Sequence, residues 1–285
     1  MLARAKRGES VQGTGTPAPA WEPPAGPFQT WDDMDVKAAV QNCEHCRGLG
    51  KVRHDLPIGH PDFGKLFPCP VCGHYTVELT RRRQTRKLKP LIDRFSILNQ
   101  SDPRTFAEYK VTQHNRAAVE AVRRWVNGVL HREAGVQPWL YLHSDTNGNG
   151  KTHLGVAAAL NLERAGLAVV LATMPGLKNM VTQKNFEHQD DVKELLFKAP
   201  ALILDDLGAE NNSSFTQGLA FDILDTRYIQ GKPTMIISNH HPQRPGANYV
   251  SLKALDYYRL ASRCTDIGKV NLVSFDAEDY RPYNR

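Results

Sequence analysis

From Asn115 onward the apolar residues follow two alternating rhythms. In NRAAVEAVRRWVNGVL, Ala118, Val119, Val122, Trp125, Val126 and Leu130 recur three and four residues apart, which predicts a helix with one apolar face. Short apolar runs then alternate with helical stretches: WLYLHS at 139–144, a helix over 151–165, AVVLAT at 168–173, helical segments across 176–198, ALILDD at 201–206, a helix across 215–230, PTMIIS at 233–238, a helix across 251–264 and NLVSF at 271–275. Parallel strands need crossover connections, so the alternation predicts an α/β fold, a parallel sheet covered by helices. There is no internal repeat.

The first third of the chain lacks this rhythm. Residues 1–29, including GTGTPAPAWEPPAGP, are rich in Pro, Gly and Ala and predict a flexible tail. Residues 30–80 place cysteine pairs among turn formers such as RGLGK and PCPVCG, a composition suited to a small module held by something other than a core. Residues 81–114 open with the basic run RRRQTRKLK and read as a linker, with 115–285 as the main domain. The basic run is either a solvated helix face or a patch that contacts phosphates directly.

Composition adds bounds. With 285 residues, 41% of them hydrophobic, the chain can bury a core. A formal net charge of +6 favours an anionic partner such as nucleic acid, though a basic soluble surface explains it nearly as well. The beginning, MLARAKRGES, lacks the apolar core of a signal peptide, and no stretch approaches the roughly 20 apolar residues of a membrane span. A cytoplasmic protein without membrane contact is expected.

The chemistry concentrates on SDTNGNGKTHL, residues 144–154, on a turn from strand to helix. Gly148 and Gly150 allow backbone N–H groups to converge on phosphate oxygens at the positive end of the helix dipole, with Asn149 between them and His153 just inside the helix. Lys151 would meet the outer phosphates and Thr152 would bind Mg²⁺. The consensus GxxxxGK(S/T) wants a glycine where Asp145 stands; Asp tolerates left-handed backbone, so nucleotide binding is expected to survive, with affinity weakened if its carboxylate points inward. A glycine turn that binds nothing is the bland alternative. Against it, ALILDD ends a strand with Asp205, suited to Mg²⁺, and Asp206, suited to orienting or deprotonating water. PTMIISN ends with Asn239, either a γ-phosphate or water contact or a simple turn residue. In DYYRLASRC, Arg259 and Arg263 lie four apart on one helical face.

Cys43, Cys46, Cys69 and Cys72 form two CxxC pairs separated by 22 residues, a pattern that closes a structural Zn²⁺ site. His45, His54, His60 and His74 are read as bystanders, and Cys264 as a small buried hydrophobe.

Taken together, GNGKTHL, LILDDLGAE, ILDTRYIQGKPTMIISN, RLASR and the terminal DYR resemble the bacterial replicative-helicase loaders, an AAA+ family that includes the insertion-sequence transposition ATPases. The resemblance covers 115–285 and implies a P-loop NTPase with a five-stranded parallel sheet and a reduced lid. It assigns Lys151 and Thr152 to Walker A, Asp205 and Asp206 to Walker B, Asn239 to sensor 1, Arg263 to an arginine finger with Arg259 beside it, and Arg281 to a sensor-2-like contact. It further implies an ATPase that self-associates through its ATP site and loads the replicative DNA helicase onto single-stranded DNA, its zinc module gripping the helicase. Two alternatives are a transposition ATPase that binds DNA and recruits a transposase, and a non-enzymatic nucleic-acid adaptor holding structural ATP.

Overall fold

The computed structural model describes residues 33–98, 102–131, 135–182, 189–209, 214–275 and 277–279. The expected tail at 1–29 and Arg281 lie outside the described residues. The chain divides between Thr80 and Arg81 into two compact units.

The smaller unit holds α1 (Asp33–Gln41), the strands β1 (Lys51–Arg53) and β2 (Leu66–Pro68), and the start of α2 (Gly73–Phe95). β1 and β2 pair antiparallel with Val52 opposite Phe67. Among the described residues apolar burial is slight: Val36 and Ala39 pack with Tyr75 and Leu79, and the other buried cluster is the four cysteines. So small a core calls for a further tie.

The larger unit is built on five parallel strands in the order β4-β5-β6-β3-β7: β3 (Trp139–His143), β4 (Val169–Thr173), β5 (Ala201–Asp205), β6 (Thr234–Ser238) and β7 (Val270–Ser274). Their apolar runs are continuous because both faces are covered, and alternate residues feed two cores. Trp139, Tyr141, Leu202, Leu204 and Ile236 face α5 (Met174–Thr182), α6 (Gln189–Lys198), α7 (Ser214–Ile229) and α8 (Tyr258–Arg263). Leu140, Leu142, Ile203, Met235 and Ile237 face α3 (Arg116–His131) and α4 (Lys151–Arg164). This is the α/β sheet that the alternation predicts. Arg227 fastens the first layer from inside: fully buried, it donates to the carbonyls of Leu196, Ala199 and Pro233 at 2.8, 2.9 and 2.7 Å and to Thr234 Oγ1 at 3.0 Å.

Two sequence readings change. The stretch expected as linker begins inside α2, and its Leu88, Ile92 and Phe95 are buried in the first core, so residues 81–95 are part of the larger unit. The helix expected across 251–264 is broken: a 3-10 turn at Lys253–Leu255 ends at Asp256, whose φ of 65° is left-handed, and α8 starts only at Tyr258. Among the described residues no helix is long and apolar enough to cross a membrane.

Candidate nucleotide site and metal centre

The C-terminal ends of β3, β5 and β6 converge on one pocket, lined by Asn147, Gly148, Asn149, Gly150, Lys151, Thr152, Asp206 and Asn239. Crevices outside strand C-termini are where open α/β sheets bind ligands. Gly148 and Gly150 have φ of 69° and 96°, the left-handed geometry that glycine adopts without steric cost. Space forbids a side chain there too, since a Cβ on Gly148 would lie 1.8 Å from Asp279 Oδ1 and one on Gly150 would lie 2.9 Å from Tyr109 Oη.

Ser144 organises the loop interior, its Oγ accepting from Thr146 N at 3.1 Å and from buried Asn149 Nδ2 at 2.7 Å. Lys151 is buried, and its ammonium donates to Thr146 O at 2.7 Å and Asn149 Oδ1 at 3.1 Å. A buried cation beside left-handed glycines at a helix start is the donor set that polyphosphates require, so these residues fit ATP.

Asp145 does not line this pocket. Its Oδ2 accepts from Ala247 N at 2.8 Å, its carbonyl accepts from Asn248 Nδ2 at 3.1 Å, and Asn147 Nδ2 donates to Tyr249 Oη at 2.6 Å. The carboxylate that replaces the consensus glycine therefore straps the 246–249 loop onto the first turn of the phosphate loop.

Asp205 closes β5 and is buried; burial first, and the charge of Asp206 second, raise its carboxyl to about 6. The Thr152 side chain beside it acts the other way and lowers it, so a hydroxyl and a carboxylate stand near one another as hard oxygen donors of the kind that hold Mg²⁺. The next residue, Asp206, has a φ of 56°, rare for a side-chain-bearing residue, and is exposed at the pocket. Ser238 joins this turn to the third strand: its hydroxyl donates to Leu207 O at 2.6 Å and accepts from His240 N at 3.0 Å, bracketing Asn239. His143, at the end of β3, is lowered to about 4 by burial and then by the charge of His241.

Three sequence-predicted residues stand elsewhere. His153 is outside the pocket lining; its Nε2 lies 2.9 Å from Thr105 O and its ring packs edge-on to Tyr109 at 4.9 Å, so it anchors the 102–109 segment under the loop. Arg263 donates to Asp225 Oδ1 at 3.0 Å and sits over Tyr228, while Arg259 sits over Phe221; neither lines the pocket. Tyr109, Tyr249 and Asp279 are structural neighbours of the loop that the motif alone does not reveal.

In the smaller unit the Sγ atoms of Cys43, Cys46, Cys69 and Cys72 all lie within 4.8 Å of one another, with Cys43–Cys69 at 3.9 Å and Cys46–Cys72 at 3.4 Å. Tetrahedral Zn–S bonds of about 2.3 Å place sulfurs about 3.8 Å apart, so the cluster has zinc dimensions. Left-handed Arg47, Gly48 and Gly50 curl the first knuckle, and Gly50 N donates to Cys46 Sγ at 3.1 Å. His54 and His74 pack on the rings of Phe67 and Tyr75, and His60 Nδ1 accepts from Asp62 N. Cys264 is fully buried in the first core.

Against known proteins, the profile of the IstB-like ATP binding protein family matches residues 76–247, more than half of the chain. The chain belongs to the IstB-like ATP-binding family. Among solved structures, AMPPCP-bound DnaA from Aquifex aeolicus superimposes with a TM-score of 0.51 at 25% identity, covering 64% of this chain and 52% of that one. The crystal structure of a DNA replication initiation factor gives 0.51 at 25% identity, covering 64% and 51%. This IstB-like chain thus matches only about half the length of each. DnaI shares the fold with a TM-score of 0.50 at 22% identity, covering 62% of this chain and 90% of its own. No curated protein matches the sequence. The family and the five-stranded AAA+ type sheet agree with the resemblance read from the motifs.

Proposed function

We propose that this IstB-like protein is an ATPase that loads a replicative DNA helicase onto single-stranded DNA. One observation carries the reading: Lys151, Thr152, Asp206 and Asn239 line a single pocket, with Asp205 buried at the end of the strand beside it, in a chain of an ATP-binding family. Lys151 and the loop amides would neutralise and orient the triphosphate, and Thr152 with Asp205 would hold Mg²⁺, which supplies further charge neutralisation when bound. Asp206, turned outward by its left-handed backbone, would accept the proton of the attacking water, and Asn239 would orient that water toward the γ-phosphorus. Arg263, on the α7–α8 surface, would complete a neighbouring subunit's pocket, so that self-association controls turnover. The zinc module at 30–80 would grip the helicase.

The test is helicase transfer onto single-stranded DNA with ATP present. Wild type should promote it and Lys151→Ala should not; equal loading by both would sink the mechanism. ATP turnover should fall at least about 100-fold in Asp206→Asn; unchanged turnover would leave only an adaptor that holds ATP. The family profile bears an insertion-sequence name, which favours a second reading, a transposition ATPase that recruits a transposase. Affinity capture from host lysate separates the two by whether helicase or transposase subunits are retained.

A further inference from the structure

Helix α2 carries a row of basic side chains that takes no part in the nucleotide site. Inside the larger unit, Leu88, Ile92 and Phe95 sink into the core, while Arg81 Nη2 and Thr85 Oγ1 donate to the carbonyls of Ala165 and Gly166 at 2.9 and 3.4 Å. These contacts fix the rotation of the helix. At 3.6 residues per turn, Arg83, Arg86, Lys87 and Arg94 then fall within an arc of about 100° on the opposite side, and all four are exposed. Glu194 lies 3.9 Å from Lys87 and closer, at 2.6 Å, to Lys198, and Asp93 pairs with Lys89 at 2.7 Å.

We propose that this outer face of α2, through Arg83, Arg86, Lys87 and Arg94, is a docking surface for a nucleic-acid backbone. From Arg83 to Arg94 the helix rises about 16 Å, a length over which one strand of duplex DNA presents roughly five phosphates. Three of the four cations are arginines, whose planar forks match phosphate oxygens. The helix is ordered before binding, so little backbone entropy is lost on contact. Its apolar side is used up in the core, which leaves no exposed apolar stripe for a lipid surface. Contacts of this kind read the backbone and tolerate any base sequence. The inference rests on the reading that the protein works on DNA, and adds where DNA is held.

The experiment uses the full chain with zinc and Mg²⁺·AMP-PNP, measuring fluorescence anisotropy of a labelled dT oligonucleotide and of a mixed-sequence duplex across a salt series. The variant is Arg83→Ala/Arg86→Ala/Lys87→Ala/Arg94→Ala, first shown to melt and bind nucleotide like wild type. For the form of DNA that binds, affinity should drop at least tenfold and the log–log salt slope should shrink by about two to three. Whichever of the two oligonucleotides shows this loss identifies the strandedness preferred. If wild type binds DNA and the variant matches it in affinity and slope, the surface is refuted while the loader reading stands. If wild type binds neither oligonucleotide, both fall. If polyglutamate competes charge for charge with the oligonucleotide and loses affinity equally in the variant, the face serves an acidic protein and the proposal is overturned.

Discussion

Asp145 and Ala247, distant in sequence, are joined by a 2.8 Å hydrogen bond from the Ala247 amide to the Asp145 carboxylate, which turns that carboxylate away from the phosphate pocket. A Cβ on Gly246 would lie 1.9 Å from Asp145 Oδ1, so the strap needs a glycine beneath the acid. Where the consensus has a glycine in the loop, this chain has an acid in the loop and a glycine in the segment that meets it.

Asp145→Ala should therefore loosen the strap and spare the nucleotide. The bond is exposed, so a loss of only about 0.5–1 kcal/mol is expected. Hydrogen exchange should quicken at the Ala247 amide, while titration with a fluorescent ATP analogue should show affinity within a few-fold of wild type. A tenfold gain in affinity would mean that the carboxylate repels the triphosphate after all.

Asp205 gives a pH dependence whose sign is unusual for an aspartate. Its folded pKa is about 6 against an ordinary 3.8, because burial and then Asp206 oppose ionisation. Between these values the unfolded chain has released its proton and the folded chain has kept it, so this group's contribution falls as pH rises from about 4 to 6, by about 3 kcal/mol. Buried His143 runs the other way, losing stability as pH falls from 6.5 toward about 4. Thermal melts of wild type and Asp205→Asn over pH 4 to 7 isolate the first effect: the variant should gain on wild type up to about pH 6 and hold that gain above it.

Metal removal should act on the smaller unit. Among its described residues buried apolar contacts are few apart from the cysteine cluster, so the Cys₄ site is expected to contribute much of its folding free energy. Colorimetric titration should find one zinc per chain. Chelation, or Cys46→Ser, should render residues 33–80 protease-sensitive while the larger unit still binds ATP.

Arg263 is held by Asp225 within its own chain, outside the pocket that it is proposed to serve. Arg263→Ala and Lys151→Ala should each abolish turnover, and an equimolar mixture should recover activity that neither has alone. Absence of recovery, with both variants folded and assembling, would place the arginine outside the neighbour's reaction.

Much of this was legible because function and fold are written at the same strand ends. WLYLH, ALILD and TMIIS announce themselves as doubly buried strands, and the polar residues just past the last two, Asp206 and Asn239, face the glycine loop that follows the first across one pocket. The docked part of α2 was hidden, since its buried apolar positions Leu88, Ile92 and Phe95 are only three and are interleaved with seven basic residues from Arg81 to Arg94. His153 shows the limit of a motif: KTHL fixes its place on α4, but its partners, Thr105 and Tyr109, come from a loop with no periodic signal. The direction of Asp145 depended on a partner about a hundred residues away, a tertiary fact that local sequence does not carry.

The Ser238 hydroxyl, fixed between Leu207 and His240, makes a caliper of the two turns that carry Asp206 and Asn239 to the pocket. Any tilt of the acid-bearing turn would be passed to the amide across the gap, so the two jaws would open and close together.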